Sequence, residues 1–93
     1  MVFVAMIAAV GLEDAMTTVE LIRAVGPALW GDHWQSPLSY ALPVAARSVR
    51  RWAAGSAEPH PDNWARLAEL MRERLAELQR LLPEVERRAV AER

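Results

Sequence analysis

The 93-residue sequence contains no cysteine and no lysine. The lack of cysteine excludes a disulfide framework and metal sites built on thiolates, and it suits a reducing compartment. All eleven basic residues are therefore arginines, whose planar guanidinium group fits phosphates and guanine edges. Aromatic rings are few, with one Phe, one Tyr and four Trp. The aromatic part of the core is thus expected to depend on Trp30, Trp34, Trp52 and Trp64.

Residue types that carry catalysis or bind metals are also scarce. The two histidines, His33 and His60, lie near Asp32 and Asp62 in the sequence. A catalytic set also needs a nucleophile and an oriented base, and a zinc site needs three or four protein ligands. No glycine-rich phosphate loop is present. We therefore expect no enzyme activity, no cofactor and no catalytic or metal-binding residue, with both histidines in loops near helix ends.

The chain is long enough for one small domain. Its N-terminal stretch, MVFVAMIAAVGL, is too short for a membrane span of about 20 residues. It also lacks the positive charge that precedes the apolar segment of a signal peptide. Three interpretations of residues 1–16 stay open: an extension upstream of a true start at Met16, a short helix or strand packing on the domain or on a second copy, or a weak export or membrane signal. We expect a cytoplasmic protein without membrane contact.

Helix signals begin after this stretch. Thr17 and Glu20 have the T-x-x-E spacing of a capping box, which predicts a helix from about Thr18. Gly26-Pro27 predicts a break or kink, because a proline inside a helix removes a hydrogen bond and clashes with the preceding turn. A short second piece would then end at Gly31. The predicted inward face consists of apolar residues three or four apart: Val19, Ile22, Val25 and Leu29.

Two short helices are predicted next. Ser36 and Pro37 are typical of an N-cap followed by the first helical residue, which predicts a helix over about 37–42. After a turn at Pro43, a second helix is predicted over about 45–54. Gly55 is well placed to follow its end.

The 45–54 helix is predicted to have two chemically different faces. Residues three and four apart share one face of a helix. One face carries arginines and small residues: Ala46, Arg47, Arg50, Arg51 and Ala54. The opposite face is apolar: Ala45, Val49, Trp52 and Ala53. The chain has a net charge of −1, but the three arginines form a local basic patch of the kind that DNA contact requires.

Residues 35–55, QSPLSYALPVAARSVRRWAAG, resemble the helix-turn-helix of the phage Cro/repressor-like DNA-binding family. The matching positions are Gln35 at the start, small Ser39 at the helix crossing, Leu42 closing the first helix, Val44 after the turn, Val49 and Trp52 buried in the second helix, and Gly55 at its end. The resemblance implies that residues 45–54 are a recognition helix for the major groove. It implies DNA contacts from Gln35, Ser36, Ala46, Arg47, Arg50 and Arg51.

Two positions depart from the family pattern. The family usually has a glycine with positive φ where Pro43 stands, whereas proline is held at a φ of about −65°. It often has a capping residue where Ala45 stands, and alanine is a poor N-cap. We therefore expect a different turn: either Leu42 leaves the first helix early, or Pro43 opens the second helix.

Residues 61–82 form the clearest helical pattern in the chain. Their apolar residues fall on one stripe, which consists of Trp64, Leu67, Ala68, Met71, Leu75, Leu78 and Leu82. Spacings of seven extend the stripe to Val85 and Ala89 as a short heptad pattern. Pro83 predicts a break or the start of a second helical piece. Two interpretations are open: a final helix that closes the core, and a dimerisation helix that continues beyond it.

These patterns predict an all-α fold: a small helical bundle with a helix-turn-helix and a long amphipathic C-terminal helix. Its parts would be an apolar extension (1–16), the helix-turn-helix core (17–60) and the C-terminal helix (61–93). The predicted function is sequence-specific binding of double-stranded DNA by a small bacterial or prophage transcriptional regulator. We expect a homodimer through the C-terminal helix or the apolar N-terminus. The alternative is a degenerate helix-turn-helix that binds a protein partner, in the manner of an antitoxin or an anti-CRISPR-associated protein.

Overall fold

The structure, a computed structural model, describes residues 15–91, and within this range it consists of α-helices without a β-strand. The four helices are α1 (Thr18–Trp30), α2 (Gln35–Ala41), α3 (Ala46–Ala54) and α4 (Pro61–Ala91). The predicted all-α fold is therefore confirmed. The three interpretations of the apolar N-terminal stretch concern residues that lie almost entirely outside the described range. Among the described helices, none is long and apolar enough to cross a membrane.

The start of α1 agrees with the predicted capping box. The Thr17 hydroxyl accepts a hydrogen bond from the backbone N–H of Glu20 at 3.1 Å, and the Glu20 carboxylate accepts one from the backbone N–H of Thr17 at 2.8 Å. The pair thereby satisfies two N–H groups that have no partner within the helix. The buried residues of α1 are Ile22, Val25, Gly26 and Leu29.

The predicted break at Gly26-Pro27 is wrong, because α1 continues through the proline. A Cβ atom at Gly26 would lie 2.2 Å from ring atoms of Trp34, so the indole lies directly on the helix backbone. Apolar residues on both sides of Pro27 are buried in one core. We attribute the intact helix to this packing, which must outweigh the cost of about 3 kcal/mol for an interior proline.

The start of α2 differs from the prediction. The helix begins at Gln35, its N-cap is Trp34, and no side chain caps it, so the predicted cap at Ser36 and Pro37 is wrong. Trp34 is buried against α1, with 7% of its surface exposed, and this contact determines where the chain enters the helix. Pro37 then lies in the first turn, where the missing N–H has no intrahelical partner to lose.

The core lies between α1, α2, α3 and the beginning of α4. Its buried apolar residues are Ile22, Val25, Leu29, Trp34, Leu38, Leu42, Val49, Trp52, Ala53 and Leu67. Three of them come from three different helices and are at most 1% exposed: Ile22, Leu38 and Val49. Trp30 and Trp64 pack against this cluster and are partly buried. All four tryptophans therefore contribute to the core, as expected.

α4 starts at Pro61, as predicted, and is capped by His60, whose Nδ1 accepts the backbone N–H of Asp62 at 3.0 Å. The predicted break at Pro83 is wrong, because the helix runs on for 31 residues to Ala91. Pro83 is exposed, so water can reach the carbonyl that loses its donor there, which lowers the cost of the proline.

The two interpretations of α4 each fit a different part of the helix. Leu67 is buried, so the first part closes the core. From residue 71 to residue 91 every side chain is exposed, and this part extends away from the core. A helix of this length spans about 46 Å and accounts for most of the 51 Å long dimension of the molecule.

Candidate nucleic-acid interface

The turn between α2 and α3 orients the arginine face. Leu42 ends α2 with φ −100° and ψ 12°, and the N–H of Val44 donates to the carbonyl of Ser39 at 2.9 Å. This is the longer hydrogen bond of a Schellman motif, in which the residue at Pro43 takes a left-handed conformation. Of the two predicted alternatives, Leu42 leaves the helix early, and Pro43 does not open α3.

Pro43 has a φ of +23°, although its ring favours about −65°. The expectation that a proline could not take the positive φ of the family turn is therefore wrong, and the pyrrolidine ring is held well away from its preferred geometry. Gly55 forms the same motif after α3, with φ +83° and donation from its N–H and that of Ser56 to the carbonyls of Trp52 and Arg51. Pro43 has no N–H, so its turn lacks one of these two hydrogen bonds.

The inward face of α3 is nearly as predicted. Val49, Trp52 and Ala53 are buried, with Val49 0% exposed. Ala45 is exposed, so its predicted inward position is wrong. The reason is that Ala45 precedes the helix as its N-cap with an extended backbone, where helical periodicity does not apply. The buried side chains hold α3 against α1 and α2 and leave its other side to solvent.

The outward face of α3 carries the predicted DNA-contacting residues of this helix. All of them are exposed: Ala46, Arg47, Arg50 and Arg51. Among residues 15–91, no carboxylate forms an ion pair with these three arginines. Their positive charges are therefore not neutralised within the described part of the chain and are available to an external anion.

Arginines on α4 differ, because several pair with glutamates on the same helix. The pairs are Arg66 with Glu69 and Glu73, Arg80 with Glu77, and Arg87 with Glu84. The hydrogen bond from Arg80, together with its charge, holds the pKa of Glu77 below its ordinary value. The positive charge of the molecule is thus balanced along much of α4 and concentrated on α3.

Two arginines have contacts that no sequence signal indicated. The Nε atom of Arg23 donates to the carbonyl of Ala53 at 3.0 Å, which ties α1 to the end of α3. A terminal nitrogen of Arg74 donates to the carbonyl of Leu29 at 2.7 Å, which ties α4 to the end of α1. The acceptors are unsatisfied carbonyls in the last turns of helices. Every helix has such groups, so residue types alone do not show which arginine reaches them.

The two predicted contact residues on α2 lie apart from the arginine face in the sequence and on a different helix. Gln35 is half-buried and Ser36 is exposed. Together with Asp32, His33 and Trp34 they line a shallow hollow of about 220 Å³. The carboxylate of Asp32 disfavours a phosphate at this place. The arginine face of α3 is therefore the more favourable anion-binding surface.

In comparisons with family models, curated proteins and solved structures, nothing matches this chain. The geometry itself therefore has to support any functional assignment. Within residues 15–91, no group of three His, Cys, Asp or Glu side chains is arranged to hold a metal ion. The feature that stands out chemically is a short helix with an unneutralised arginine face, held from behind by a packed core.

Proposed function

We propose that this chain binds double-stranded DNA through α3 and acts as a small transcriptional regulator. The observation that supports the proposal is the two-sided character of α3. Arg47, Arg50 and Arg51 are exposed and unpaired within the described chain, while Val49 and Trp52 on the other side are buried. Burial on one side fixes the direction in which the three guanidinium groups extend.

The dimensions of α3 suit the major groove of B-DNA. An α-helix with its side chains is about 10–12 Å across, and the groove is about 12 Å wide, so it can admit the nine residues of α3. Ala46 and Ala54 are exposed on the arginine side, and their small side chains allow close approach. Arginine donates two hydrogen bonds to guanine, which is the commonest specific contact in this groove.

The three arginines of α3 are expected to have different roles in DNA recognition. By the helix-turn-helix resemblance, Arg47 and Arg50 lie where base contacts are usual, and Arg51 lies where a nearby phosphate is a suitable partner. Base contacts specify sequence, whereas phosphate contacts contribute affinity to any duplex. Gln35 and Ser36 would contribute less, because the carboxylate of Asp32 in the same hollow disfavours a phosphate there.

Selection from a pool of randomised duplexes tests the proposal. We expect the parent protein to enrich a common sequence and a variant with Arg47, Arg50 and Arg51 replaced by alanine to enrich none. The matched control replaces Arg66, Arg80 and Arg87 by alanine, which removes the same charge from α4. The control should select the same sequence as the parent. Equal enrichment by the triple α3 variant would refute the proposal.

A protein-interaction module is the second candidate function, and one observation favours it. α4 exposes large apolar side chains beyond the core, among them Leu75, Leu78 and Leu82, as a protein-binding helix does. In this alternative the α3 arginines pair with acidic groups of a protein partner. The same selection discriminates the two, because such a module would retain no duplex at moderate salt while keeping its helical fold.

A further inference from the structure

The exposed part of α4 presents an apolar stripe that no other described residue covers. Its central members are Met71 (42% exposed), Leu75 (56%), Leu78 (57%), Leu82 (55%) and Val85 (64%). At its beginning the stripe is continuous with an apolar groove between α1 and α4, lined by Leu21, Val25, Trp64, Leu67, Ala68 and Met71. A connected apolar surface of this kind is typical of an interaction site.

We infer that a second copy of this chain covers the stripe and the groove, with the two α4 helices antiparallel. The stripe residues repeat at intervals of seven, which is the pattern of a helix that packs along another helix of the same kind. The register that we assign places Leu75 opposite Leu78 of the second copy. It then places Met71 opposite Leu82, and Trp64 opposite Ala89, so that apolar residues meet along the whole stripe.

Continuity with the groove favours the antiparallel orientation. Leu67 is 3% exposed, so the beginning of each α4 is already held against its own core. Parallel helices could therefore pair only beyond the core and would leave the groove open. In the antiparallel arrangement the end of the second α4 extends back along the first, and Val85 and Ala89 of the second copy lie over the groove.

The number of apolar pairs favours this register over its neighbour. A shift by one heptad, with Leu75 opposite Val85, would move Ala89 and Val85 of the second copy away from Trp64 and Ala68. Fewer apolar residues would then meet along the stripe, so the shifted register is the poorer one.

The same register sets the distance between the two copies of the core. With a rise of 1.5 Å per residue, the two copies of Trp64 lie about 37 Å apart along the helix axis. Half-site spacing on DNA depends instead on the separation of the two α3 helices, so the self-pairing does not rest on the proposed DNA binding.

Sedimentation equilibrium of the full chain without DNA tests the pairing. We expect the parent to form a dimer and Leu78→Glu to raise the dimer dissociation constant by roughly 100-fold or more, because two leucines leave the interface and two like charges enter it. Ala76→Glu carries the same charge on an exposed position outside the stripe and should dimerise like the parent. A monomeric parent, or a dimer unaffected by Leu78→Glu, would overturn the inference. In either case the apolar stripe and the groove would have to be covered by another partner or by residues 1–14.

Cysteine cross-linking tests the orientation, and the chain has no cysteine of its own to interfere. We expect a mixture of Leu75→Cys and Leu78→Cys to form disulfide-linked pairs that contain one of each, since cross-linked Cα atoms must lie within about 7 Å. Each variant linking mainly to itself would indicate parallel helices and overturn the orientation. A monomeric parent that binds DNA refutes the pairing alone, and a dimer that does not bind DNA refutes the proposed function alone.

Discussion

Pro43 joins α2 to α3 with a φ of +23°, a conformation that glycine adopts without a steric penalty. We expect Pro43→Gly to raise the free energy of unfolding by about 1 kcal/mol. Relief of an unfavourable backbone conformation contributes about 1–3 kcal/mol, and the greater freedom of glycine in the unfolded chain costs about 0.4–1 kcal/mol. The new N–H group can also complete the Schellman hydrogen bonds.

Chemical denaturation measures this difference, with Pro37→Gly as the control. Pro37 lies in the first turn of α2, so its replacement relieves no positive φ and should not stabilise the protein. A loss of stability or of DNA affinity in Pro43→Gly would contradict the account and show that the proline belongs to a turn of its own kind.

Gly26 allows Trp34 to lie on the backbone of α1. Because a Cβ atom would come within 2.2 Å of the indole, we expect Gly26→Ala to lower the free energy of unfolding by about 1–3 kcal/mol, although alanine is the better helix former. A double-mutant cycle with Trp34→Leu checks the cause. Gly26→Ala should lower the free energy of unfolding much less in the Trp34→Leu variant than in the parent. An equal loss in both proteins would exclude a clash with the indole as its cause.

Among the helices, α1 carries a capping box that depends on pH. The backbone N–H of Thr17, and to a lesser degree its side chain, hold the pKa of Glu20 below its ordinary value of 4.5. A depressed folded-state pKa contributes stability that is present above about pH 4.5 and lost as the pH falls through the folded value. Glutamine can accept the same N–H without a charge, so it serves as the comparison.

We therefore expect Glu20→Gln to be slightly less stable than the parent at pH 7 and equally stable at the acidic end of the titration. Thermal unfolding, followed by circular dichroism between pH 7 and the acidic end of the titration, gives the stability of both proteins at each pH. Glu86→Gln, on the exposed part of α4, controls for the loss of one negative charge. A parent that keeps its full advantage over Glu20→Gln in acid would show that the carboxylate charge does not contribute.

Single substitutions on α3 should separate specificity from affinity. We expect Arg47→Ala or Arg50→Ala to cost about 1–3 kcal/mol of binding to the selected sequence and to relax the base preference at one position. Arg51→Ala should weaken binding to all duplexes more evenly. Fluorescence anisotropy with the selected and a scrambled duplex measures both effects. If all three variants lose the same factor on both duplexes, the assignment of roles is wrong.

Local signals predicted the helices well where neighbouring residues determine the outcome. The capping box at Thr17 and Glu20, the start of α4 and the two faces of α3 depend on contacts within a few residues. The continuation through Pro27 and the early start of α2 depend instead on Trp34 packing against Gly26. Such a contact joins two helices, and no spacing along one helix indicates it.

The part of the candidate site that lies within one helix was predictable from residue spacing, and the parts that depend on contacts between elements were not. Periodicity within α3 was enough to place Arg47, Arg50 and Arg51 on one exposed face. Periodicity could not show that Asp32 shares a hollow with Gln35 and Ser36, because the hollow forms where the chain turns into α2. It also could not show how proline would fit the turn before α3.

At the scale of the whole molecule, a small core is combined with a long exposed helix. A chain of 93 residues buries a small core, and about two thirds of α4 contributes no buried side chain to it. Pairing of two α4 helices would bury the exposed leucines and make the apparent stability depend on protein concentration. The same pairing would present two arginine faces to DNA and thereby double the number of phosphate and base contacts.

Charge distribution over the whole molecule shapes the expected binding. The net charge is −1, so a general attraction to DNA is not expected, and binding should depend on the local patch of α3. Each phosphate that a protein neutralises contributes about −0.9 to the slope of log K against log salt concentration. Up to three arginine contacts per copy then predict a slope of about −3 for one copy and about −5 for a dimer.

Binding of DNA by α3 can be tested through the salt dependence of binding to the selected duplex. We expect a steep linear fall in log K for the parent and for the Arg66, Arg80 and Arg87 control. We expect weak and nearly salt-independent binding for the variant without Arg47, Arg50 and Arg51. A parent whose affinity does not change with salt, or a triple α3 variant with the slope of the parent, would contradict the claim that α3 binds DNA.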